Sequence, residues 1–532
     1  MAEGRSQIAR FAAIFAGGTL LSRVLGLVRD IVLAATVPAA ARDAFFFAFR
    51  LPNMLRDMLG EGATNAAFVP VFTAARETET PEAYRRMVSA CLSAMLILLT
   101  LVTAAGVLLM PLVPAALAAL QPFTGSAPPP AEEMAEIVLM LQWTFPYLLL
   151  IGLAVFATGP LYVARHYSTP SWSPVLLNIA LIAVCFLLPG QIMEPKWALI
   201  AGVWLGGVAQ LVVLFVAMRR VTGIWLPNFQ LRNPAIRKVS RLLGPVLVGQ
   251  AAGEVNKLVD SFFAIMLGPG VVSALFFANR LIQLPLSIFG IAISVAILPE
   301  ISRAGARGEY DAVRRTLAQG LSQTTFLVAP AMVVLLMLGE PIIRLLFQRG
   351  AFDAAQTEMA AVALWYYGAG LLSFSWVKVT VQGFYALHDT KTPVKIATVS
   401  MLSNIAMNAA LVGPMGFRGL ALATTLSYTM NFLALYIMMG RRCGSLLDRA
   451  FAGAMLRLSV ALGFLALTIF ALSLGVGKVV SGNTIMTDLL HVFVPVGGGG
   501  IVYLGACALL RVSEMQDLMT LFRRRRARGR QA

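Results

Sequence analysis

Residues 44–51 read AFFFAFRL, and residues 274–281 read ALFFANRL. Two octapeptides built on the same phenylalanines, small residues and closing Arg-Leu mark an internal repeat. Further matches keep the order: Tyr162 with Thr169-Pro170 returns as Tyr385 with Thr392-Pro393, and Arg219-Arg220 returns as Arg441-Arg442. The offset stays between 222 and 230 residues throughout. Around both copies the chain is a string of apolar runs of about 18 residues or more, each long enough to cross a hydrocarbon core of roughly 30 Å. Each repeat holds an even number of such runs, so the two copies share one orientation, related by an axis along the membrane normal. Two-lobed transporters are built this way, with the substrate site where the lobes face each other.

Composition leads to the same class. Of 532 residues, 58% are hydrophobic and 13% charged, with a mean hydropathy of +0.79. Soluble domains carry about 25% charged residues. We therefore expect an all-α polytopic membrane protein with about fourteen transmembrane helices. The spans read as 8–36, 42–75, 87–118, 134–161, 170–190 and 197–218 in a first six-helix lobe (1–222). A second, pseudo-symmetric lobe (223–442) has 236–267, 271–302, 318–338, 355–387, 393–412 and 417–439. Two additional helices (443–515) follow near 451–477 and 486–511, and then a basic tail (516–532). Arginines and lysines fall in alternate loops, and the stretch from Gln121 to Glu133 on the opposite side has none. By the positive-inside rule both termini are expected in the cytoplasm. No short h-region with a small-residue cleavage site opens the chain, so the first helix is expected to be retained.

The net charge of +17 comes without a helix-turn-helix or zinc-finger pattern, which excludes nucleic acid as a partner. Cys91, Cys185, Cys443 and Cys507 are far apart and form no CxxC. They read as small packing residues rather than disulfides or metal ligands. There is no P-loop, HExxH or GxSxG, so the chain does not read as an enzyme. An integral-membrane glycosyl or phosphoglycosyl transferase is the alternative from another class, but Glu340, Asp353 and Asp389 are scattered rather than paired.

Charges inside the spans carry the functional reading, because each is expensive in lipid unless it faces a cavity or a partner. The first span contains SRVLGLVRD at 22–30. Arg23 and Arg29 are six residues apart, about 600° of helical rotation, so an unbroken helix points them apart. A bend or break at Gly17, Gly18 or Gly26 would bring both toward one cavity, with Asp30 orienting one of them. The second span adds Asp43, Arg50, Arg56, Asp57 and Glu61, and its repeat adds Arg280. Arginine is permanently charged and its planar fork matches phosphate oxygens, so an amphiphile with a phosphate or pyrophosphate head is the natural guest. Pairing of Arg50 and Arg56 with Asp43, Asp57 or Glu61 to hold the helices accounts for part of the same pattern. Glu254, Lys257 and Asp260 in the seventh span, with Asn404, Asn408 and Thr424 further on, offer oxygen ligands to a hard cation such as sodium. The same residues equally suit interhelical hydrogen bonding. With no ATP motif, transport would draw on an ion gradient, the membrane potential or the substrate's own gradient.

The segments SRVLGLVRD at 22–30, DAFFFAFRLPNMLRDMLGEGATNAAFVPVF at 43–72, FFANRLIQLPLSIFGIAISVAILPEISR at 276–303 and QGFYALHDTKTPVKIA at 382–397 resemble the MurJ/MviN lipid II flippase family. The likeness runs from about residue 8 to 440 in order and spacing. It implies the fold of the multidrug/oligosaccharidyl-lipid/polysaccharide exporter superfamily: two six-helix lobes around a V-shaped cavity, and two extra helices forming a groove for an undecaprenyl tail. By the same resemblance the functional arginines match Arg23, Arg29, Arg56 and Arg280, and the acidic positions match Asp30, Asp43 and Glu61. The implied activity is translocation of undecaprenyl-pyrophosphate-linked peptidoglycan precursor from the cytoplasmic to the periplasmic leaflet of the inner membrane by alternating access. A flippase for another polyprenyl-linked glycan is the alternative within the superfamily. Membrane lipid and peptidoglycan synthesis enzymes are the implied partners, the functional unit is expected to be a monomer, and the expected cofactor is none beyond a coupling sodium ion or proton. Two departures bear on mechanism. Gln283 stands where the family often has glutamate, which removes an ion pair with Arg280. Asn408 stands where some members have aspartate, which weakens the sodium reading.

Overall fold

The structure, a computed structural model, describes residues 2–59, 64, 67–187, 193–224, 226–446, 448–480, 482 and 484–516, apart from the side chains of 2–16, 187, 248, 249, 252 and 450. Its contacts divide it into two units, Met1–Ser273 with Arg349–Phe352, and Ala274–Gln348 with Asp353–Ala532. The first unit holds α1 (Ala2–Thr36), α2 (Ala39–Asp57), α3 (Val69–Thr78), α4 (Pro81–Leu109), α5 (Val113–Ala118), α6 (Gln121–Thr124), α7 (Ala131–Thr144), α8 (Tyr147–Val163), α9 (Ser168–Leu187), α10 (Pro195–Thr222) and α11 (Pro234–Ile265). The chain enters the second unit within α12 (Val271–Pro285) and continues through a π-helical turn (Leu286–Ile291) into α13 (Ala292–Ala306). Then come α14 (Tyr310–Phe347), α15 (Ala354–Ala386), α16 (Lys391–Met415), α17 (Phe417–Cys443), α18 (Arg449–Val479) and α19 (Ile485–Leu509).

Eleven helical stretches among the described residues are long and apolar enough to cross a membrane. The expected spans outside that set are α1, α2 and α11, where the charges sit: Arg23, Arg29 and Asp30; Arg42, Asp43, Arg50, Arg56 and Asp57; Glu254, Lys257 and Asp260. With these three, every expected crossing coincides with a helix or a run of consecutive helices. The ends follow local chemistry. Prolines stand in the first turns of α3, α4, α10 and α11, where no N–H is needed. The side chains of Thr80, Asn233, Asp353, Asp448 and Thr484 accept bonds from backbone N–H groups at the starts of α4, α11, α15, α18 and α19.

Several spans are less regular than their apolarity suggests. The expected 42–75 span is two helices, α2 and α3, and the 134–161 span divides into α7 and α8 at Pro146. In α14, Leu338 leaves helical geometry (φ −116°, ψ 18°) three residues ahead of Pro341, whose ring and missing N–H disrupt the preceding turn.

In the first unit α1 packs on α9, α9 on α10, and α10 and α4 on α8. Phe68 and Phe72 meet Phe156 edge-on with ring centroids 5.3 and 6.0 Å apart. Helix α11 lies against α2, α3 and α4, with Phe262 edge-on to Phe47 at 5.1 Å. Packing thus groups α11 with the first unit, whereas the sequence repeat begins its second copy after residue 222.

In the second unit α14, α15 and α17 form a core of Val313, Leu317, Leu321, Val379, Phe384, Leu435 and Met439. The C-terminal pair α18 and α19 closes on α14 around Phe326, Leu458, Leu465, Ile469 and Tyr503. The Tyr503 hydroxyl donates to the Phe326 carbonyl at 2.8 Å, Arg344 Nε to Asp488 Oδ1 at 3.0 Å, and Ser322 Oγ to buried Glu514. Their other faces are bare hydrocarbon: Leu467, Ile501 and Leu509 are 67%, 75% and 86% exposed. A water-soluble fold does not present contiguous leucine faces of this kind, but lipid solvates them.

Candidate functional site

In α1 the arginines are placed by an unbroken helix. No break occurs from Ala2 to Thr36, so the break considered at its glycines is not there and Arg23 and Arg29 leave the helix in different directions. Gly18 has another use. A Cβ there would stand 2.8 Å from the Ser171 carbonyl oxygen, so the missing side chain lets α9 approach closely.

Arg29 is held on both sides. Its Nε and Nη2 donate to Asp30 Oδ1 at 3.0 and 2.6 Å, and its Nη1 donates to Asn178 Oδ1 at 3.2 Å. Asn178, from α9, uses its amide nitrogen to reach back to the Ser22 carbonyl at 3.1 Å. Asp30 is fully buried while Arg29 keeps a sliver of accessible surface. A buried carboxylate next to a guanidinium removes most of the penalty of carrying that charge into lipid and fixes the arginine's orientation. Asp30 therefore orients Arg29, the partner it shares a turn with. Arg23, six residues earlier, is exposed.

In α2, Arg56 forms the same kind of pair with its neighbour: Nε and Nη2 to Asp57 Oδ1 at 3.0 and 2.6 Å, both side chains about one-third accessible. This pair lies within one helix and leaves the guanidinium accessible. Beneath it lie two buried polar groups, the Tyr147 hydroxyl and the Gln210 amide. Glu61 falls outside the described residues.

Asp43 has a different station. Its carboxylate is buried and accepts from Gly270 N at 2.7 Å, Val272 N at 3.3 Å, Ser273 N at 2.9 Å and Ser273 Oγ. It caps the start of α12, whose residues as far as Ser273 belong to the first unit, and it satisfies amides that have no partner within their own helix. Gly270 holds φ at +91°, a conformation that glycine adopts freely, so its N–H can point at the carboxylate. Next to it Arg42, the largest fully buried side chain, donates Nε to Ser273 Oγ at 3.0 Å and Nη1 to the Ala34 and Val37 carbonyls at 3.0 and 3.1 Å. The guanidinium also lies over the Phe352 ring, 5.1 Å from its centroid. Sequence reading passed over Arg42 and Asn178. The signal for Arg42 was an Arg-Asp pair heading an otherwise apolar run. A lone polar residue in the apolar α9 was the signal for Asn178.

In the second unit Arg280 is half-buried on α12, and Gln283 one turn later is exposed and donates weakly to Asn279 Oδ1 at 3.5 Å. Asn404 and Asn408 are fully buried in α16. Asn408 Nδ2 donates to Asn404 Oδ1 at 3.2 Å, and Asn404 Nδ2 approaches Ser427 Oγ of α17 at 3.5 Å. Thr424 Oγ1 is turned onto the Leu420 carbonyl at 3.1 Å. Asp260 belongs to α11 in the first unit, where Lys257 and Glu254 form their own pair at 2.5 Å. Among the described residues no group of three or more His, Cys, Asp and Glu could hold a metal ion.

Outside the spans, Asp389 in the α15–α16 connection accepts from Lys391 N and Thr392 N, both at 3.0 Å, and faces Arg442 at 2.5 Å. Desolvation pushes its carboxyl up, but the Thr392 hydrogen bonds and Arg442 together outweigh it and bring the pKa down to about 2.

All-helical units with apolar outer faces and arginines steadied inside the spans define a multi-pass membrane transporter. The sequence model of the family described as "Lipid II flippase MurJ" matches residues 36–488. A probable lipid II flippase MurJ of Vibrio cholerae is 37% identical over 422 residues, 79% of this chain and 80% of its own. The lipid II flippase MurJ of Burkholderia cenocepacia is 32% identical over 431 residues, 80% of this chain and 82% of its own. The chain belongs to the MurJ lipid II flippase family. Among solved structures, a lipid II flippase MurJ in an inward closed conformation shares the fold with a TM-score of 0.76 at 23% identity, covering 95% of this chain and all of that one. An inward-facing multidrug transporter of the MATE family gives 0.63 at 14% identity over 82% of this chain and 98% of that one.

Proposed function

We propose that this protein flips lipid II, the undecaprenyl-pyrophosphate-linked peptidoglycan precursor, from the cytoplasmic to the periplasmic leaflet of a bacterial inner membrane by alternating access. The observation that carries the reading is the family match across residues 36–488, which runs through both units. In this reading Arg23, Arg29, Arg56 and Arg280 receive the pyrophosphate. Asp30 and Asp57 keep Arg29 and Arg56 extended until phosphate oxygens, which accept two parallel N–H bonds, compete for the same guanidinium. Asp43 serves by fixing the start of α12, and Glu61 joins the substrate set by its place in the motif. The basic loops support a topology with both termini in the cytoplasm.

For the driving force, Asp260, Asn404, Asn408 and Thr424 form the set to test for sodium coupling, and the Asn404–Asn408–Ser427 network is the competing arrangement. Rescue of a bacterial strain depleted of its own lipid II flippase tests the substrate assignment. Growth restored by the wild-type chain supports lipid II. Failure to restore growth at normal abundance assigns the chain to another polyprenyl-linked glycan.

A further inference from the structure

The connection from α10 to α11 has a basic surface apart from the residues proposed to receive the pyrophosphate. No Asp or Glu occurs between Glu194 and Glu254, yet the middle of this stretch carries Arg219, Arg220, Arg232, Arg237, Lys238 and Arg241, all exposed. The first turn of α11 has no acidic residue, and Arg237, Lys238 and Arg241 follow within the first eight residues of the helix. With no acidic side chain in the stretch to neutralise them, these cations suit anions supplied from outside it.

Between the two groups of cations, Arg219-Arg220 and Arg232 to Arg241, large apolar side chains are held out from the fold. Leu226, Phe229 and Leu231 are 61%, 63% and 49% exposed, on a loop rather than on a spanning face. The loop is built rather than loose. Asn228 N donates to the Ser89 carbonyl of α4 at 3.1 Å, and the 228–233 backbone curls through Gln230 N to Asn228 O at 2.7 Å and Asn233 N to Gln230 O at 3.3 Å. The Arg85 guanidinium lies close against Gly223, adding a cation at the root of the loop. Glu77, Glu79 and Glu82, around the start of the α4 helix that this loop touches, are exposed.

An apolar block flanked on both sides by solvent-facing cations is what an anionic bilayer surface binds, with hydrocarbon entering the acyl boundary and guanidinium groups meeting phosphates. We propose that residues 219–224 and 226–241 form an interfacial anchor that docks onto the headgroups of anionic phospholipids. This inference is independent of the lipid II reading.

The test uses the full chain in lipid nanodiscs with a water-soluble fluorophore on Gln230→Cys. The four native cysteines are buried. Quenching by headgroup-depth nitroxide lipid and by aqueous iodide is compared in discs of zwitterionic lipid alone and in discs with one-third anionic phospholipid. The expected result is about a threefold rise in lipid-borne quenching and a matching fall in iodide quenching with anionic lipid, abolished by combined Arg232→Gln, Arg237→Gln and Lys238→Gln. Equal iodide quenching of the wild-type label in both lipid compositions overturns the proposal without reference to any variant. If inorganic phosphate added to zwitterionic discs reproduces the iodide protection, the strip is a soluble-anion site and the lipid assignment fails.

Discussion

Replacing Asp43 with alanine strips four donors of their acceptor at once: the amides of Gly270, Val272 and Ser273 and the Ser273 hydroxyl. Hydrogen bonds to a charged group contribute about 1.5–3 kcal/mol each, but they are not additive, and breaking one side of a buried charged network costs about 3–5 kcal/mol in total. Part of that loss is the Arg42 guanidinium, which stays buried against Ser273 Oγ, the Ala34 and Val37 carbonyls and the Phe352 ring but loses the neighbouring carboxylate charge. Asp43→Asn keeps one acceptor oxygen and turns an NH2 toward the donors, so about half the loss is expected. The effect is local, at the α11–α12 turn, and hydrogen exchange over residues 268–275 reads it directly. With every 1.4 kcal/mol worth tenfold, Asp43→Ala should exchange those amides about a hundredfold or more faster, and Asp43→Asn about tenfold. Amides that exchange within about threefold of wild type in Asp43→Ala would refute the capping account.

Other consequences follow from single contacts. Asn178→Ala should leave the fold intact but free Arg29, lowering rescue of a depleted strain; a double-mutant cycle with Arg29→Gln should show coupling of about 1 kcal/mol or more, and additivity would remove Asn178 from the site. Asp389 contributes stability that is fully present above its unfolded value of 3.8 and is lost as pH falls through its folded value of about 2. Proteolytic protection of the α15–α16 connection should therefore fall between pH 4 and 2 in the wild type and be flat across that window in Asp389→Asn. Tyr503→Phe removes a buried bond to the Phe326 carbonyl and should loosen α18 and α19 from α14 by about 1–2 kcal/mol, read as faster labelling of Cys507 by a lipophilic thiol reagent. Asn408→Ala should lower thermal stability equally with and without sodium if its amide only bridges to Asn404, whereas loss of a sodium-dependent shift would establish the cation site.

The spans were legible because lipid imposes a strong rule: a crossing segment must be helical, apolar and about 20 residues long. Where that rule was relaxed, the sequence was less informative. The 42–75 stretch, charged as it is, reads as one crossing, yet the α2 helix ends at Asp57 and α3 begins at Val69. Proline-induced division of 134–161 was visible in principle at Pro146, but membrane helices tolerate proline often enough to blur the signal. Among the charges, Arg29 and Asp30 could be paired from adjacency. Asp43 and Arg42 could not be assigned, since their partner Ser273 stands 230 and 231 residues away in sequence. The break sought at the glycines of α1 was a misreading of mechanism, because small residues in membrane helices serve close packing as often as bending, and Gly18 meets Ser171 for that purpose.

The central claim is that arginines steadied inside the spanning helices receive the pyrophosphate head. The most direct measurement is exposure of lipid II at the periplasmic face in cells depleted of their own flippase and supplied with wild type, Arg29→Ala or Arg280→Ala at matched abundance. The account predicts exposure with wild type and its loss with either substitution. Normal exposure with both variants would make these arginines structural and contradict the mechanism, even with family membership intact.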